Sequence, residues 1–326
     1  MSHLHEAPGS WRYNPFEIAV FGPAGEKRAE LATAIFERLS ETREIAQLTH
    51  RGQRARGSHP AMLNGEWSGP VDSVFVRNQL LDAEIVIYES AEWPDAPVVV
   101  VDSERSDLSP DEWIPIILED LAGNTTQVPV YGLLLAGGHS RRMKQDKAGL
   151  RIHAQPQLRH AYGLLSDACD RAFISTRVNQ GSNELIGELP TIEDRMTGIG
   201  PLAGILSAQM AHPGVAWLVL ACDLPFVTRE LLGHIKALRN PTRLATAFCS
   251  SRDALPEPLC AVYEPKSHVR LLNFLGMGVR CPRRILINSR TWLLDLPEQH
   301  ALDNLNTPED LEAAKARLVA REEFST

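Results

Sequence analysis

The sequence predicts an α/β protein: a Rossmann-like, doubly wound and mostly parallel sheet, preceded by a smaller α/β domain. Short apolar segments alternate with helical patterns along most of the chain, as in parallel α/β proteins. The 326 residues argue for two domains, or for one large domain with an extension, because a domain usually contains about 100 to 200 residues. No repeat with a period of about 20 to 50 residues is present, so solenoids and arrays are excluded.

The elements of the first part predict a compact α/β unit. Strands are expected over residues 17–21, 84–88 and 98–101, and helices over 26–41 and 111–121. The polar segment 123–127 contains a turn residue and precedes Val128-Pro129, so it is the expected linker. We therefore predict two domains, over residues 1–125 and 126–326.

The second part opens with a βα unit. Segment 130–135 is almost entirely apolar, which is typical of a parallel strand covered on both faces. Thr307 precedes Pro308 and two acids, a strong start for a last helix that continues to residue 321. Between these segments, strands predicted at 172–175, 216–221, 245–248 and 259–263 alternate with helices at 157–166, 201–211, 229–238 and 266–274.

Composition excludes several function classes. There are 33 Lys and Arg against 41 Asp and Glu, so the net charge is −8, and an acidic chain has no global attraction for nucleic acid or anionic lipid. The apolar segments are too short for a membrane helix, and residues 1–16 lack the features of a signal peptide, so we expect a cytoplasmic protein. Five cysteines without a C-x-x-C pair predict mostly buried, reduced thiols.

A glycine pair, Gly137-Gly138, directly follows the strand 130–135. Glycines at the carboxyl end of a parallel strand let backbone N–H groups approach phosphate oxygens without obstruction by a side chain. The basic residues Arg141, Arg142 and Lys147 then oppose the charge of a nucleotide. We predict a nucleotide-cradling loop; the alternative is a glycine turn before a solvated basic helix. It is neither a Rossmann fingerprint nor a Walker loop, because the third glycine and the Gly-Lys-Ser/Thr ending are absent.

Two acids follow predicted strands. Asp223 comes after the strand 216–221, where open α/β sheets bind ligands, and a single carboxylate with substrate phosphates suits Mg²⁺. Asp194 is the second acid. The alternative for Asp223 is a helix cap or a solvated charge, and for Asp194 an ordinary loop acid.

Four motifs resemble the molybdenum cofactor guanylyltransferase family, which has the nucleotide-diphospho-sugar transferase fold. Residues 135–148 resemble the signature L-A-G-G-x-S-x-R-M-G-x-D-K-A. Ile192-Glu193-Asp194 with Gly200-Pro201-Leu202-Ala203-Gly204, the segment 221–226, and Asn304-Leu305-Asn306-Thr307-Pro308-Glu309 resemble three further motifs in family order. The resemblance covers residues 130 to 315 and departs at Lys144, where the family has glycine.

The resemblance implies transfer of GMP from GTP to molybdenum-molybdopterin with Mg²⁺, releasing pyrophosphate, and partners that extend to molybdoenzymes or their chaperones. It makes Lys147, Arg142 and Asp223 catalytic, Asp223 the metal ligand, and Asn304 and Asn306 acceptor contacts. The nucleotide contacts that the resemblance implies are Leu135, Ala136, Gly137, Gly138, Ser140, Lys147, Asp194 and Asp223. Asp194 would contact either the nucleotide or the metal. The alternatives are CTP as donor, another acceptor such as a sugar 1-phosphate, and a nucleotide-binding regulator without turnover; Lys144 keeps the last one open.

The first part contains a degenerate phosphate-binding loop. Gly22-Pro23-Ala24-Gly25 follows a strand and precedes a helix, but Glu26 stands where a Walker loop has glycine, and Arg28 where it has Ser or Thr. Glu26 would repel phosphate, and Arg28 has no lone pair for Mg²⁺. The part faintly resembles the P-loop adapter of molybdopterin-guanine dinucleotide biosynthesis, so we predict an adapter domain that does not bind nucleotide. The alternative is an anion site of another kind, formed by Lys27 and Arg28 at the helix N-terminus.

Overall fold

The fold is that of a computed structural model. It divides into two compact units, one ending at Val128 and the other beginning at Pro129. The structure describes residues 17–21, 26–43, 45–51, 54–59, 62–68, 83–90, 99–103, 108–126, 128–136, 149–150, 152–153, 155–177, 184–305 and 307–324.

The first unit is built on a six-stranded sheet with the order β4-β3-β2-β5-β1-β6. Strand β1 pairs in parallel with β5 and β6, and β2 pairs in parallel with β5, whereas β2, β3 and β4 form an antiparallel meander. The meander was not predicted, because its sequence is polar and basic and lacks apolar alternation. The elements are β1 (Glu17–Phe21), α1 (Glu26–Ser40), β2 (Ile45–Arg51), β3 (Arg54–His59), β4 (Met62–Ser68), β5 (Ile85–Ser90), β6 (Val99–Asp102) and α2 (Pro110–Thr126).

Helix α1 buries one face, formed by Arg28, Ala32, Ile35 and Leu39. Their spacing of four, three and four residues is that of a helical stripe, and the apolar members belong to the core of this unit. Arg28 therefore begins the buried stripe and is only 6% exposed.

Helix α2 runs five residues beyond its predicted end, so most of the expected linker is helical. Its start is a capping box, in which the Glu112 carboxylate accepts hydrogen bonds from the Ser109 backbone N–H and hydroxyl at 2.8 and 2.7 Å. These bonds lower the pKa of Glu112. Only residues 127–129 separate α2 from the next strand. Gly123 and the polar residues after it break a helix only weakly, and none of them is a proline, so the helix continues to Thr126.

The second unit contains the predicted mostly parallel sheet, now with seven strands in the order β13-β11-β12-β10-β7-β8-β9. Strand β12 alone among them runs antiparallel to both of its neighbours. The elements are β7 (Val130–Leu135), α3 (Gln157–Ala168), β8 (Arg171–Thr176), β9 (Thr191–Glu193), α4 (Pro201–Ala211), β10 (Ala216–Ala221), α5 (Arg229–Ala237), β11 (Ala245–Cys249), β12 (Pro256–Tyr263), α6 (Ser267–Gly276), α7 (Pro282–Ile287), β13 (Thr291–Leu294) and α8 (Pro308–Phe324).

The core of the second unit lies between the central strands and α4. Trp217 and Tyr263, on β10 and β12, are fully buried, and every residue from 202 to 209 of α4 is buried. A helix that is buried all round needs apolar and small residues on every side, which α4 has. Strand β13 and helix α7 were not predicted, because four and six residues are too few to show a periodic pattern.

Two further expectations concern cysteines and membranes. All five cysteines are free, but Cys222 and Cys260 alone are buried, so fewer thiols are buried than expected. Cys169 and Cys249 are partly buried, and Cys281 is exposed. In the part of the chain that the structure describes, no helix is both long and apolar enough to cross a membrane.

A buried ion pair joins Arg239 to Glu264 in the second unit. The Arg239 guanidinium donates two hydrogen bonds to the Glu264 carboxylate, at 2.7 and 3.0 Å, and Glu264 is only 1% exposed. Burial raises the pKa of Glu264, while the positive charges of Arg239 and Lys266 lower it. Arg239 therefore offsets part of the cost of burying the Glu264 carboxylate.

We expect Arg239→Met to lower the free energy of unfolding by about 3 to 5 kcal/mol at pH 8, because one buried charge loses its partner. Without Arg239 the pKa of Glu264 rises further, so the loss should shrink as the pH falls towards 5 and the carboxyl takes up a proton. Denaturant titrations at both pH values measure this. Arg229→Met is the matched control, since its pair with Asp167 is exposed and should cost less than about 1 kcal/mol. Equal losses for the two variants would contradict the prediction.

Candidate active site

The centre of the site is the junction between β7 and β10. These strands pair in parallel, with Leu135 opposite Ala221, and the Cys222 N–H donates to the Leu135 carbonyl at 3.2 Å. After β7 the chain continues to β8 on one side, and it returns to β10 on the other side. Such a switch point leaves a crevice at the carboxyl ends of the strands, where open α/β sheets bind ligands.

Asp223 stands two residues after β10, beside the position where the glycine loop leaves β7. Its side chain is partly buried, and its backbone carbonyl accepts a hydrogen bond from the Leu305 N–H at 3.0 Å. That bond attaches the segment before α8 to the Asp223 turn. The structure thus brings two of the sequence motifs together.

A pocket of about 320 Å³ opens at Asp223. Asn304 also lines it, so a predicted acceptor residue and the predicted metal ligand share one cavity. The other polar lining residues come from the turn after β11, the start of β12, α7 and the segment before α8: Ser250, Ser251, Arg252, Glu257, Arg283, Gln299 and Asp303.

Two arginines of this pocket were missed by the sequence analysis. Arg283 donates to Glu257 at 2.5 Å and to Asp253 at 3.2 Å, and Arg252 lies 3.8 Å from Asp303. Hydrogen bonds to two carboxylates therefore orient the Arg283 guanidinium, whereas Arg252 is exposed and only near Asp303. No local pattern distinguishes these arginines from the other basic residues of the chain, so only the fold identifies them.

Helix α3 and the residues before it contact the turn that carries Asp223. His153 hydrogen bonds through Nε2 to the Pro225 carbonyl at 3.2 Å, and its ring stacks on His160 at 3.6 Å between centroids. Burial and the neighbouring His153 lower the pKa of His160 to about 4. His160 is therefore neutral at physiological pH, which suits a ring stacked against another imidazole.

Asp194 lies on the opposite side of β7. It follows β9 directly, and its backbone N–H donates to the Thr176 carbonyl at 2.7 Å. The Ser175 hydroxyl donates to its carboxylate at 2.7 Å. Burial raises the pKa of Asp194, and the hydrogen bond from Ser175 partly offsets the rise.

The two acids flank the crevice from both sides. The strand order β10-β7-β8-β9 separates them by three strand spacings, roughly 14 Å at about 4.8 Å per spacing. The sheet thus places one acid on each side of β7.

Several predicted site residues lie outside the described residues. These are Gly137, Gly138, Ser140, Arg142, Lys144 and Lys147 of the loop, and Asn306. Leu135 and Ala136, where the loop begins, are described and partly buried at the carboxyl end of β7. The loop's first residues are therefore placed next to Asp223, while the roles of its basic residues stay predictions.

The donor set at Asp223 suits magnesium. Within the described ranges, no group of three or more His, Cys, Asp and Glu side chains could hold a metal ion. Asp223 shares the pocket with Glu257 and Asp303, which pair with Arg283 and Arg252. Carboxylates without a His or Cys cluster suit Mg²⁺, which keeps several waters and binds substrate phosphates, better than they suit zinc. The residues present therefore fit the expected ion.

Residues 132–290 match the MobA-like NTP transferase domain. A molybdenum cofactor biosynthesis bifunctional protein from Synechocystis sp. is 35% identical over 57% of this chain, and the chain spans about half of that relative, 54% of its length. A probable molybdenum cofactor guanylyltransferase from Nostoc sp. is 32% identical over 55% of this chain and 87% of that relative. A nucleotidyl transferase from Methanothermobacter shares the fold, with a TM-score of 0.50 and 14% identity, covering 59% of this chain and 99% of that one.

The fold and these relatives define the class of protein as a nucleotidyltransferase. More narrowly, the chain belongs to the MobA-like NTP transferase family, whose match covers most of the seven-stranded unit. The family resemblance drawn from the four sequence motifs is thereby confirmed.

Proposed function

We propose that this chain transfers GMP from GTP to the terminal phosphate of molybdenum-molybdopterin and releases pyrophosphate. The observation that carries the proposal is the junction of β7 and β10, where the start of the glycine loop, Asp223 and the pocket containing Asn304 adjoin one another. The name of the Nostoc relative, a probable molybdenum cofactor guanylyltransferase, supports the choice of donor and acceptor.

In this proposal the crevice positions the triphosphate and the pocket positions the acceptor. An acceptor oxygen attacks the α-phosphorus, the bond from that phosphorus to the bridging oxygen breaks, and pyrophosphate departs with the electron pair. A phosphate monoester has a second pKa of about 6, so the acceptor is anionic at neutral pH and needs no general base. Catalysis then consists of positioning and electrostatic stabilisation.

The charged residues divide the electrostatic work. Asp223 would hold Mg²⁺, and the ion would supply positive charge to the phosphoryl oxygens. Lys147 and Arg142, assigned from the sequence, would oppose the charge that develops on the leaving group. Asp194 would accept hydrogen bonds from the nucleoside, since an ionised carboxylate only accepts.

The acceptor pocket fits an anion with polar groups. Asn304 supplies an amide, and Arg252 and Arg283 supply guanidiniums that bind phosphate in a planar, bidentate geometry. Both arginines already contact carboxylates, so a bound phosphate would exchange one anionic partner for another. Such a site would favour a phosphorylated acceptor over a neutral one.

We also propose that the first unit is an adapter that binds no nucleotide. Arg28, which takes the place of the Walker hydroxyl, belongs to the buried face of α1, while Lys27 is exposed. A buried guanidinium has no lone pair for a metal and is not available to a solvent-borne phosphate. Residues 22–25 of the degenerate loop lie outside the described residues.

Titration of the whole chain with GTP, CTP and ATP in the presence of Mg²⁺ tests the donor. We expect GTP to bind most tightly, with one site per chain that Lys27→Ala leaves intact, because Gly137 leaves room for a purine where a methyl group would narrow the floor of the site. Isothermal titration calorimetry gives both affinity and stoichiometry. Equal or tighter binding of CTP would contradict the choice of donor, and a second site lost in Lys27→Ala would contradict the adapter proposal.

Pyrophosphate release with molybdenum-molybdopterin as acceptor tests the catalytic residues. We expect Lys147→Ala and Asp223→Ala to lower the rate by about 10² to 10³, since each removes a preorganised charge at the phosphates. Circular dichroism checks the folding of both variants, and a sugar 1-phosphate serves as the alternative acceptor. Near-parental activity in either folded variant would refute its assignment. Nucleotide binding by the parent without turnover on any acceptor would favour the regulator.

A further inference from the structure

Ser175, which lies at the end of β8, was not among the predicted site residues. Its backbone pairs with Leu135 of β7 on one side and with Ile192 of β9 on the other. The side chain is only 4% exposed, and its hydroxyl donates to the Asp194 carboxylate at 2.7 Å. The hydroxyl thus connects β8, the strand next to β7, to the Asp194 carboxylate at the side of the crevice.

Helix α4 leaves room for this hydroxyl through one glycine. A Cβ atom added to Gly204 would lie 2.4 Å from the Ser175 Oγ and 2.7 Å from the Leu135 Cδ2. Real Cβ atoms essentially never come so close to other heavy atoms, so any larger residue at this position would displace Ser175 or the helix. The space that the Ser175 side chain occupies therefore requires a glycine at position 204.

Two charged residues of the described part of the chain act on Asp194. Burial has the largest effect and raises the pKa of Asp194; the Ser175 hydroxyl and the Arg177 guanidinium after β8 lower it, and the neighbouring Glu193 raises it. From α4, the Ser207 hydroxyl accepts a hydrogen bond from the Arg195 backbone N–H at 2.8 Å. Ser207 thus holds the backbone after Asp194, whereas Ser175 holds the carboxylate.

We propose that Ser175 is a positioning residue for the nucleotide: its hydroxyl fixes the Asp194 carboxylate in one orientation, and Gly204 is required so that α4 does not displace it. The role rests on the proposed function, in which Asp194 accepts hydrogen bonds from the nucleoside. Hydrogen bonds to charged groups are stronger than neutral ones, so a single hydroxyl can select one carboxylate orientation. Ser175 acts through Asp194 and needs no contact with the substrate.

The pH dependence of GTP binding tests the role. In Ser175→Ala the carboxylate loses a donor, so its pKa rises, and the pH below which GTP binding weakens should move up by about one unit. At pH 8, where the carboxylate is ionised in both proteins, the dissociation constant should rise by about tenfold because the orientation is lost. Calorimetric titrations of the full chain with GTP and Mg²⁺ between pH 5 and 8 measure both effects.

Ser207→Ala is the matched control. It also removes a buried hydroxyl that contacts the segment after β9, but one that does not touch the carboxylate. We expect it to lower the melting temperature and to leave the pH profile of GTP binding where the parent has it. A shift of the profile in both variants would mean a general loosening of this segment and would overturn the positioning role.

A second measurement does not depend on nucleotide. Because the Ser175 hydroxyl favours the ionised carboxylate, its contribution to stability is present above the pKa of Asp194 and is lost as the pH falls through that value. The loss of melting temperature in Ser175→Ala should therefore be larger at pH 8 than at pH 5, and it should be independent of pH in an Asp194→Ala background. A loss of equal size at both pH values in the parent background would overturn the coupling.

The results distinguish a failure of the proposed function from a failure of the Ser175 role alone. If the parent binds no nucleotide, the proposed function fails and the positioning role fails with it, whatever the melting temperatures show. If the parent binds GTP and Ser175→Ala keeps both the affinity and the pH profile, the role of Ser175 alone is refuted.

Gly204→Ala adds a second variant: it keeps the hydroxyl but crowds it, and we expect the same weakening at pH 8 as for Ser175→Ala. Unchanged GTP binding in a folded Gly204→Ala protein would count against the proposal.

Discussion

The parallel pairing of β7 with β10 is the constraint on which the site depends. Because Leu135 stands opposite Ala221, the chain leaves both strands at the same edge, and the Cys222 N–H bond to the Leu135 carbonyl continues the ladder past the strand end. A slip of this register by one residue would turn every side chain of the strand to the other face. The adjacency of the glycine loop and Asp223 therefore follows from backbone pairing, and both strands are buried deeply enough to prevent a slip.

Close packing at the same edge provides the second level of organisation. Helix α4 is buried over most of its length and lies against β7, β8 and β9. Gly204 of α4 leaves space for the buried Ser175 side chain, whose hydroxyl donates to the Asp194 carboxylate. On the other side of the edge, the Asp223 turn is held by a backbone bond from Leu305. The acids on both sides of the crevice are thus positioned by neighbours on other elements, as electrostatic catalysis requires.

The sequence predicted the elements that carry strong patterns. Segments such as 130–135 and 216–221 are almost entirely apolar, so parallel strands were expected there and were found. The meander 45–68 was missed because its strands are polar and lack apolar alternation, and the strand at Trp292 was missed because its four residues are too few to show a pattern. Asp223 and Asn304 were predicted through motifs, whereas Ser175 and Arg283 were not, since their proposed roles depend on distances between elements far apart in sequence.

Metal-directed cleavage of the backbone tests most directly whether the junction of β7 and β10 is the transfer site. With Fe²⁺ in place of Mg²⁺ and GTP bound, ascorbate and peroxide generate hydroxyl radicals at the metal, and mass spectrometry locates the cut peptide bonds. We expect cuts within 136–148 and next to Asp223, and we expect both sets to be lost in Asp223→Ala. Cuts confined to the first unit, or cuts elsewhere that persist in that variant, would contradict it.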